Sequence, residues 1–125
     1  MIDNSKNTVP LDLSYLREMS GDSAEFMIEM LDAFLTQTPI YISDLEREVI
    51  AENWKGASEC AHKIKPTFFY IGREDVRDHM QEIERNAREL KNIETIPTAF
   101  EEVRVFAPIL YQQLEEAKIA LTKEL

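Results

Sequence analysis

Residues 61–72 of the chain read AHKIKPTFFYIG and contain His62, one of two histidines. At about 100° of rotation per residue, the apolar residues here and in the preceding turn fall within one sector of a helix, roughly 160° to 260° from His62. They are Ala57, Cys60, Ala61, Ile64, Phe68 and Ile71. This i, i+3, i+4, i+7 spacing predicts an amphipathic helix whose apolar stripe packs on a core while His62 faces solvent.

The face around His62 is polar and locally basic. Seven residues fall within about 60° of the histidine on the same projection: Lys55, Ser58, Glu59, Lys65, Pro66, Phe69 and Arg73. A lone histidine is usually a core or boundary residue, but this angle argues against the core. His62 is then either an ordinary surface histidine or a functional imidazole. The nearby cations are consistent with either an anion site or a solvated mixed-charge face.

Amphipathic patterns on the N-terminal side predict two more helices. A short helix over residues 12–19 is followed by a long one with Asp22 or Ser23 as its N-cap. Pro39 interrupts the long pattern and is expected to kink the helix, because the apolar stripe keeps its phase across it. Asn53 is the predicted N-cap of the helix that carries His62, and Gly72 lies at or near its end.

Two further helices are predicted on the C-terminal side. One runs from about residue 74 to 90, and the last begins near Thr95, with Pro97 in its first turn and a bend at Pro108. No stretch alternates with the period of a strand. The sequence therefore predicts an all-α fold, an antiparallel four-helix bundle with a short additional N-terminal helix. The bundle is expected over residues 11–125, after a flexible lead over residues 1–10.

The composition is typical of one small globular domain. The chain has 125 residues, 44% hydrophobic and 30% charged, with a formal net charge of −10. That charge disfavours nucleic acid and anionic membranes as partners. No apolar run reaches the roughly 18 residues of a membrane-spanning helix, and no signal peptide is recognisable. The single cysteine, Cys60, is interpreted as a core residue in a reducing compartment. We expect a cytoplasmic monomer without membrane insertion.

Several chemistries lack their motifs in this sequence. There is no glycine-rich phosphate loop, so no nucleotide-binding or ATP-dependent kinase activity of its own is expected. A zinc site needs more Cys and His ligands than Cys60, His62 and His79, and Cys60 faces away from His62. Glu59 and His62 have the Glu-x-x-His spacing of di-iron bundles, but both face outward and no second copy exists. No metal site is expected, and His79 is interpreted as a boundary residue.

The pattern around His62 resembles the histidine phosphotransfer (HPt) domain family. That family's motif is His-x-x-Lys-Gly-Ser/Thr, with a glycine ten residues after the histidine. Here His62, Lys65, Thr67 and Gly72 occupy the matching positions, and Pro66 replaces the first glycine. The likeness covers most of the chain, including a Leu-x-x-Leu helix near the N-terminus, residues 26–39, Trp54, Ile83 and Glu84.

Pro66 departs from the family pattern. In a helix its ring crowds the carbonyl four residues earlier, which is that of His62. A local bend there would push the imidazole outward and change how closely a partner can pack. The alternative is that Pro66 only bends the helix around its core.

The resemblance implies a phosphorelay intermediate. His62 would accept a phosphoryl group through Nε2 from an aspartyl phosphate on a receiver domain, and would pass it to an aspartate of a second receiver. Lys65 would neutralise charge on the phosphoryl oxygens. No intrinsic cofactor is implied, because Mg²⁺ belongs to the receiver. The implied partners are response-regulator receiver domains and a hybrid sensor histidine kinase, of which the chain could itself be a module.

Supporting and docking residues follow from the same resemblance. Glu84 or Gln81 on the neighbouring helix could accept a hydrogen bond from the other ring nitrogen and fix the tautomer. An apolar centre for receiver docking is expected at Phe69 and Pro66, with further docking residues at Ser58, Lys55 and Arg73. The main alternative is a protein-interaction bundle whose histidine has lost its role. An oligomeric metal-binding bundle is the third.

Overall fold

A computed structural model describes residues 1–125 and contains helices but no strands. The five α-helices are α1 (Ser14–Met19), α2 (Ala24–Ile50), α3 (Trp54–Tyr70), α4 (Glu74–Glu89) and α5 (Ile96–Thr122). Two short 3₁₀ helices cover Asn4–Thr8 and Ile93–Thr95. The all-α prediction is confirmed, with α1 as the short extra helix. Among the long helices, α3 packs on α2 and α4, and α5 packs on α2 and α4. No helix combines the length and the apolar composition that a membrane span requires.

The predicted caps set several helix ends. Ser23, not Asp22, is the N-cap of α2, where its hydroxyl accepts a hydrogen bond from the Phe26 N–H at 3.1 Å. Asn53 caps α3 by accepting from the Gly56 N–H at 3.2 Å. Helix α1 begins two residues later than predicted, since the Asp12 carboxylate accepts from the Ser14 N–H at 3.0 Å and so acts outside the helix.

The core forms where the predicted stripes meet. Helix α2 continues through Pro39 and buries one stripe of residues: Met27, Leu31, Phe34, Thr38, Ile42, Leu45 and Val49. In α3 the buried stripe contains Ala57, Ala61, Ile64 and Phe68, with Ile71 just beyond its end. Cys60 departs from the prediction, because its side chain is only half-buried at the edge of the core.

The first ten residues, which we call the N-terminal segment, contact the bundle, although their polar composition predicts a flexible lead. Ile2 is buried in the core. The Asp3 N–H donates a hydrogen bond to the Asp75 carboxylate at 2.8 Å. The Gln113 side-chain amide donates to the main-chain carbonyls of Lys6 and Val9 at 2.8 and 3.0 Å. The segment is thus held largely through its main chain, which composition does not report.

Candidate functional site

His62 lies on the outer face of α3, as its helical angle predicts. Its side chain is 71% exposed, while the apolar stripe of the same helix is buried except for Cys60 at its edge. The packing of α3 against both α2 and α4 fixes the helix, so the imidazole stands on a rigid surface. The ring is held on one side only, where Nδ1 lies 3.1 Å from Oε2 of Glu84 on α4.

Glu84 sets the orientation of the imidazole. Its side chain is only 6% exposed, and burial alone would raise the pKa of its carboxyl. The hydrogen bond and charge of Lys65, together with the contact to His62, outweigh burial, so the pKa of Glu84 lies below its ordinary value. An ionised carboxylate can only accept hydrogen bonds. The contact therefore requires a proton on Nδ1 of His62, and in the neutral imidazole this leaves the lone pair of Nε2 directed to solvent.

Lys65 lies one helical turn from His62 and points toward α4. Its ammonium donates hydrogen bonds to Oε1 of Glu84 at 2.8 Å and to the side-chain oxygen of Gln81. The side chain is 19% exposed. Of the two predicted partners of the histidine, Glu84 takes that position, whereas Gln81 binds the lysine instead.

Arg88 is a member of this cluster that sequence reasoning missed. Its guanidinium donates to Oε2 of Glu84 at 3.1 Å, the same oxygen that contacts His62. The two residues are spaced i, i+4 on α4, where an acid and a base face each other. That spacing was the available signal, and it gains meaning only once Glu84 is placed beside His62.

The remaining motif residues separate into two places. Pro66 is exposed next to the histidine, has no N–H to donate to the His62 carbonyl, and lies inside a helix that continues through it. Thr67 is half-buried. Gly72 is not part of the histidine cluster, because it lies in the turn after α3 with a φ of 77°. Its role is in that turn.

An aromatic patch adjoins the histidine face and consists of Tyr15, Phe69 and Tyr70. The Phe69 ring lies edge-to-face against Tyr15 of α1, with centroids 4.8 Å apart. Tyr15 also stacks on Tyr70 at 5.9 Å, and the guanidinium of Arg77 lies 5.4 Å from the Phe69 ring. Phe69 was predicted as a docking residue, whereas the contribution of α1 was not. Lys55 is exposed in the first turn of α3, as predicted.

Two predicted docking residues are buried, so their placement on the exposed face is wrong. Ser58 is 9% exposed. It lies seven residues before Lys65, on the flank of α3 that turns toward α4. Arg73 is 1% exposed. It follows Gly72, where α3 has already ended, so a helical projection from His62 does not apply to it.

His79 has a structural environment apart from this site. Its side chain is 5% exposed, and Nε2 lies 2.8 Å from the Ala99 carbonyl and 3.3 Å from the Glu102 carboxylate. The histidine therefore joins α4 to α5 and is more buried than the boundary position predicted for it.

Comparisons with known proteins agree with this geometry. The family model of the Hpt domain matches residues 29–121, a range that includes His62, Lys65 and Glu84. The phosphorelay intermediate protein rdeA of Dictyostelium discoideum is 31% identical over 109 residues, which cover 87% of this chain and 40% of rdeA. The chain thus spans less than half the length of that relative. No solved structure matches the chain. On the extent of the family match, the chain belongs to the Hpt domain family.

Proposed function

We propose that this Hpt domain is a phosphorelay intermediate that carries a phosphoryl group on Nε2 of His62. The observation that carries the proposal is the contact between Nδ1 of His62 and Glu84 at 3.1 Å, in a histidine whose side chain is 71% exposed. One ring nitrogen is held by a buried carboxylate, and the other is free for a partner. A phosphorelay intermediate is also what the name of the relative rdeA describes.

In the proposed reaction, the Nε2 lone pair attacks the phosphorus of an aspartyl phosphate on a receiver domain. The N–P bond forms as the P–O bond to the receiver's aspartate breaks, and the carboxylate leaves. The ring then carries a positive charge, which the Glu84 carboxylate beside Nδ1 offsets. The same steps in reverse deliver the phosphoryl group to an aspartate of another receiver.

Such transfers depend on in-line positioning and charge neutralisation more than on acid–base groups. Mg²⁺ and the acidic pocket would come from the receiver, and this chain would need no cofactor of its own. Lys65 would supply a cation near the phosphoryl oxygens. Its ammonium rests on Glu84 and Gln81, one turn from the histidine, so a rotation of its flexible side chain would bring it to the phosphoryl group.

The distribution of charge supports docking of an acidic partner on this face. Residues 54–91, which contain α3 and α4, carry 8 of the 14 Lys and Arg residues but only 7 of the 24 Asp and Glu residues. The rest of the chain is strongly acidic. A receiver's acidic pocket would therefore be attracted to the His62 face and repelled elsewhere.

The proposed partners are response-regulator receiver domains and a hybrid sensor histidine kinase, met in the cytoplasm by a monomeric Hpt domain. The free thiol of Cys60 is compatible with a reducing compartment. Phosphate would enter only from a receiver, because the chain lacks any motif for binding ATP.

The test is transfer from a purified, phosphorylated receiver domain. The wild-type protein is expected to gain a label that is stable in alkali and lost in acid, as a phosphoramidate is, whereas His62→Gln gains none. Circular dichroism would show both proteins equally folded, since an exposed polar substitution changes stability by under about 0.5 kcal/mol. Labelling of a folded His62→Gln variant would contradict the proposal and leave a protein-interaction bundle as the better account.

A further inference from the structure

We propose that Arg73 and Gln113 form a buried anchor that positions α1, and with it Tyr15, for receiver docking. The inference rests on the proposed function, because it concerns the partner that would meet His62. It gives a role to the largest polar group buried away from the histidine. It makes Arg73 and Gln113 positioning residues that act through α1 rather than groups that touch the phosphoryl group.

The anchor joins the turn before α4 to the N-terminal segment. The Arg73 guanidinium donates to Gln113 and to Asn7, each at 3.0 Å, and pairs with Asp75 at 2.9 Å. It also lies 4.6 Å from the Phe106 ring. Because a buried charge is unfavourable unless it is paired and hydrogen-bonded, this set of partners holds Arg73 in one position.

Gln113 extends the anchor to the main chain of the N-terminal segment. Its side-chain oxygen accepts from Arg73, and its NH₂ group donates to the carbonyls of Lys6 and Val9. These bonds fix the path of the segment just before it enters α1. An apolar side chain at position 113 would leave both carbonyls without this donor.

The turn that contains Gly72, next to Arg73, also supports the chain just before α1. A Cβ atom added at Gly72 would lie 2.2 Å from the carbonyl oxygen of Asp12, so the main chain of Asp12 rests directly on this glycine. Asp12 in turn accepts a hydrogen bond from the Ser14 N–H at the start of α1. The position of α1 is thus set by the residues that hold the segment before it.

Helix α1 depends on these contacts to hold its position because it is short. It has six residues, and isolated helices of that length are unstable in water. Its far end is tied to the end of α5, where Arg17 donates to both oxygens of Glu124 at 3.0 Å. Between these two attachments Tyr15, 43% exposed, packs on Phe69 and Tyr70. A looser anchor would therefore disperse the aromatic patch, whose Phe69 lies about two helical turns along α3 from His62.

The experiment compares Gln113→Leu with Gln112→Leu in the full chain. Gln112 is the exposed neighbour on α5 and hydrogen-bonds only with Glu116, so it is a matched control. Three quantities are measured: the dissociation constant for an acidic receiver domain, the single-turnover transfer rate at saturating receiver, and amide hydrogen exchange in residues 14–19 and 54–70.

For Gln113→Leu we expect the dissociation constant to rise about three- to tenfold, the effect of losing an aromatic contact. The saturated transfer rate should stay unchanged, and exchange should accelerate in α1 but not in α3. Gln112→Leu should behave as wild type. If Gln113→Leu does not fold, Asn7→Ala removes a side-chain contact of the anchor from the surface side, and the same comparison applies.

A double variant separates positioning from general loosening. In a Tyr15→Ala background, Gln113→Leu should raise the dissociation constant no further, because the anchor acts through Tyr15. An equal further rise in that background would overturn the inference. So would a Gln113→Leu single variant whose dissociation constant is unchanged or whose saturated transfer rate is lower. If wild-type protein accepts no phosphoryl group, the proposed function fails. Hydrogen exchange still tests the anchor in that case, because unaltered exchange in α1 of Gln113→Leu would overturn it.

Discussion

Nδ1 of His62 lies 3.1 Å from Oε2 of Glu84, which is 22 positions further along the chain and on a different helix. One partner is largely exposed and the other is buried. The buried carboxylate is itself held by Lys65 and Arg88. An exposed imidazole thereby acquires a fixed orientation from a rigid partner beneath it, which is the arrangement that a phosphoryl carrier needs.

Glu84→Gln should slow phosphoryl transfer about tenfold, the lower range for losing the group that orients a reacting side chain. The amide keeps the shape of the carboxylate but cannot offset the charge that the ring gains with the N–P bond. Single-turnover transfer at saturating receiver would measure the effect. Glu82→Gln, an exposed glutamate on the same helix, is the control. Equal rates for all three proteins would show that Glu84 does not assist transfer.

The lowered pKa of Glu84 predicts a pH dependence of stability. A carboxyl with a depressed pKa in the folded state contributes stability above its unfolded value, which is 4.5, and loses it as the pH falls through the folded value. The comparison is His62→Gln against His62→Gln with Glu84→Gln, because Lys65, the larger cause of the lowered pKa, is retained in both proteins. Their difference in free energy of unfolding should be constant from pH 7 to about 4.5 and should shrink below that. A stability difference that widens on acidification would mean that the pKa of Glu84 is raised and not lowered.

Lys65 and Phe69 should affect different steps. Lys65→Ala is expected to lower the saturated transfer rate, because negative charge on the phosphoryl oxygens matters most during transfer. Phe69→Ala is expected to raise the dissociation constant, because it removes the centre of the aromatic patch. Rapid-quench kinetics over a range of receiver concentrations separate the two constants. Lys63→Ala, which removes a cation packed on Tyr41 at 4.7 Å, is the control. An unchanged saturated rate for Lys65→Ala would mean that this lysine only holds Glu84 and Gln81 in place.

Gly72→Ala should destabilise the protein by about 2 kcal/mol or more, from a left-handed backbone and a clash. The glycine has a φ of 77°, and a Cβ atom there would meet the Asp12 carbonyl at 2.2 Å. Gly21→Ala is the matched control, since Gly21 has a φ of 65° but nothing within 4 Å of the added atom. Its loss should be the backbone part alone, about 1 to 2 kcal/mol. Denaturant unfolding would measure both losses of stability. Equal losses would mean that the Asp12 carbonyl moves away from the added Cβ atom at no cost in free energy.

The parts of the fold that follow from local rules were predictable from the sequence. The cap at Asn53, the choice of two candidates for the cap of α2, and the buried stripes of the long helices depend on short spacings. The exposure of His62 follows from its angle within a single helix. These features need no knowledge of which helix lies beside which.

The parts that failed depend on contacts between distant segments. Arg73 is misplaced because the helical phase ends at Gly72, and Ser58 because a projection does not say which flank a neighbouring helix covers. The N-terminal segment is held by donors from Gln113 to its carbonyls, which its side-chain composition does not reveal. Tyr15 contacts Phe69 only because the folded chain places α1 against the last turn of α3.

The most direct test of the central claim is ¹⁵N nuclear magnetic resonance of the histidine side chains, before and after phosphorylation by a receiver domain. We expect His62 to carry its proton on Nδ1 in the resting protein. After phosphorylation the phosphoryl group should be on Nε2 of His62, and the His79 signals should be unaltered. Phosphorylation at Nδ1 of His62, or at His79, would contradict it.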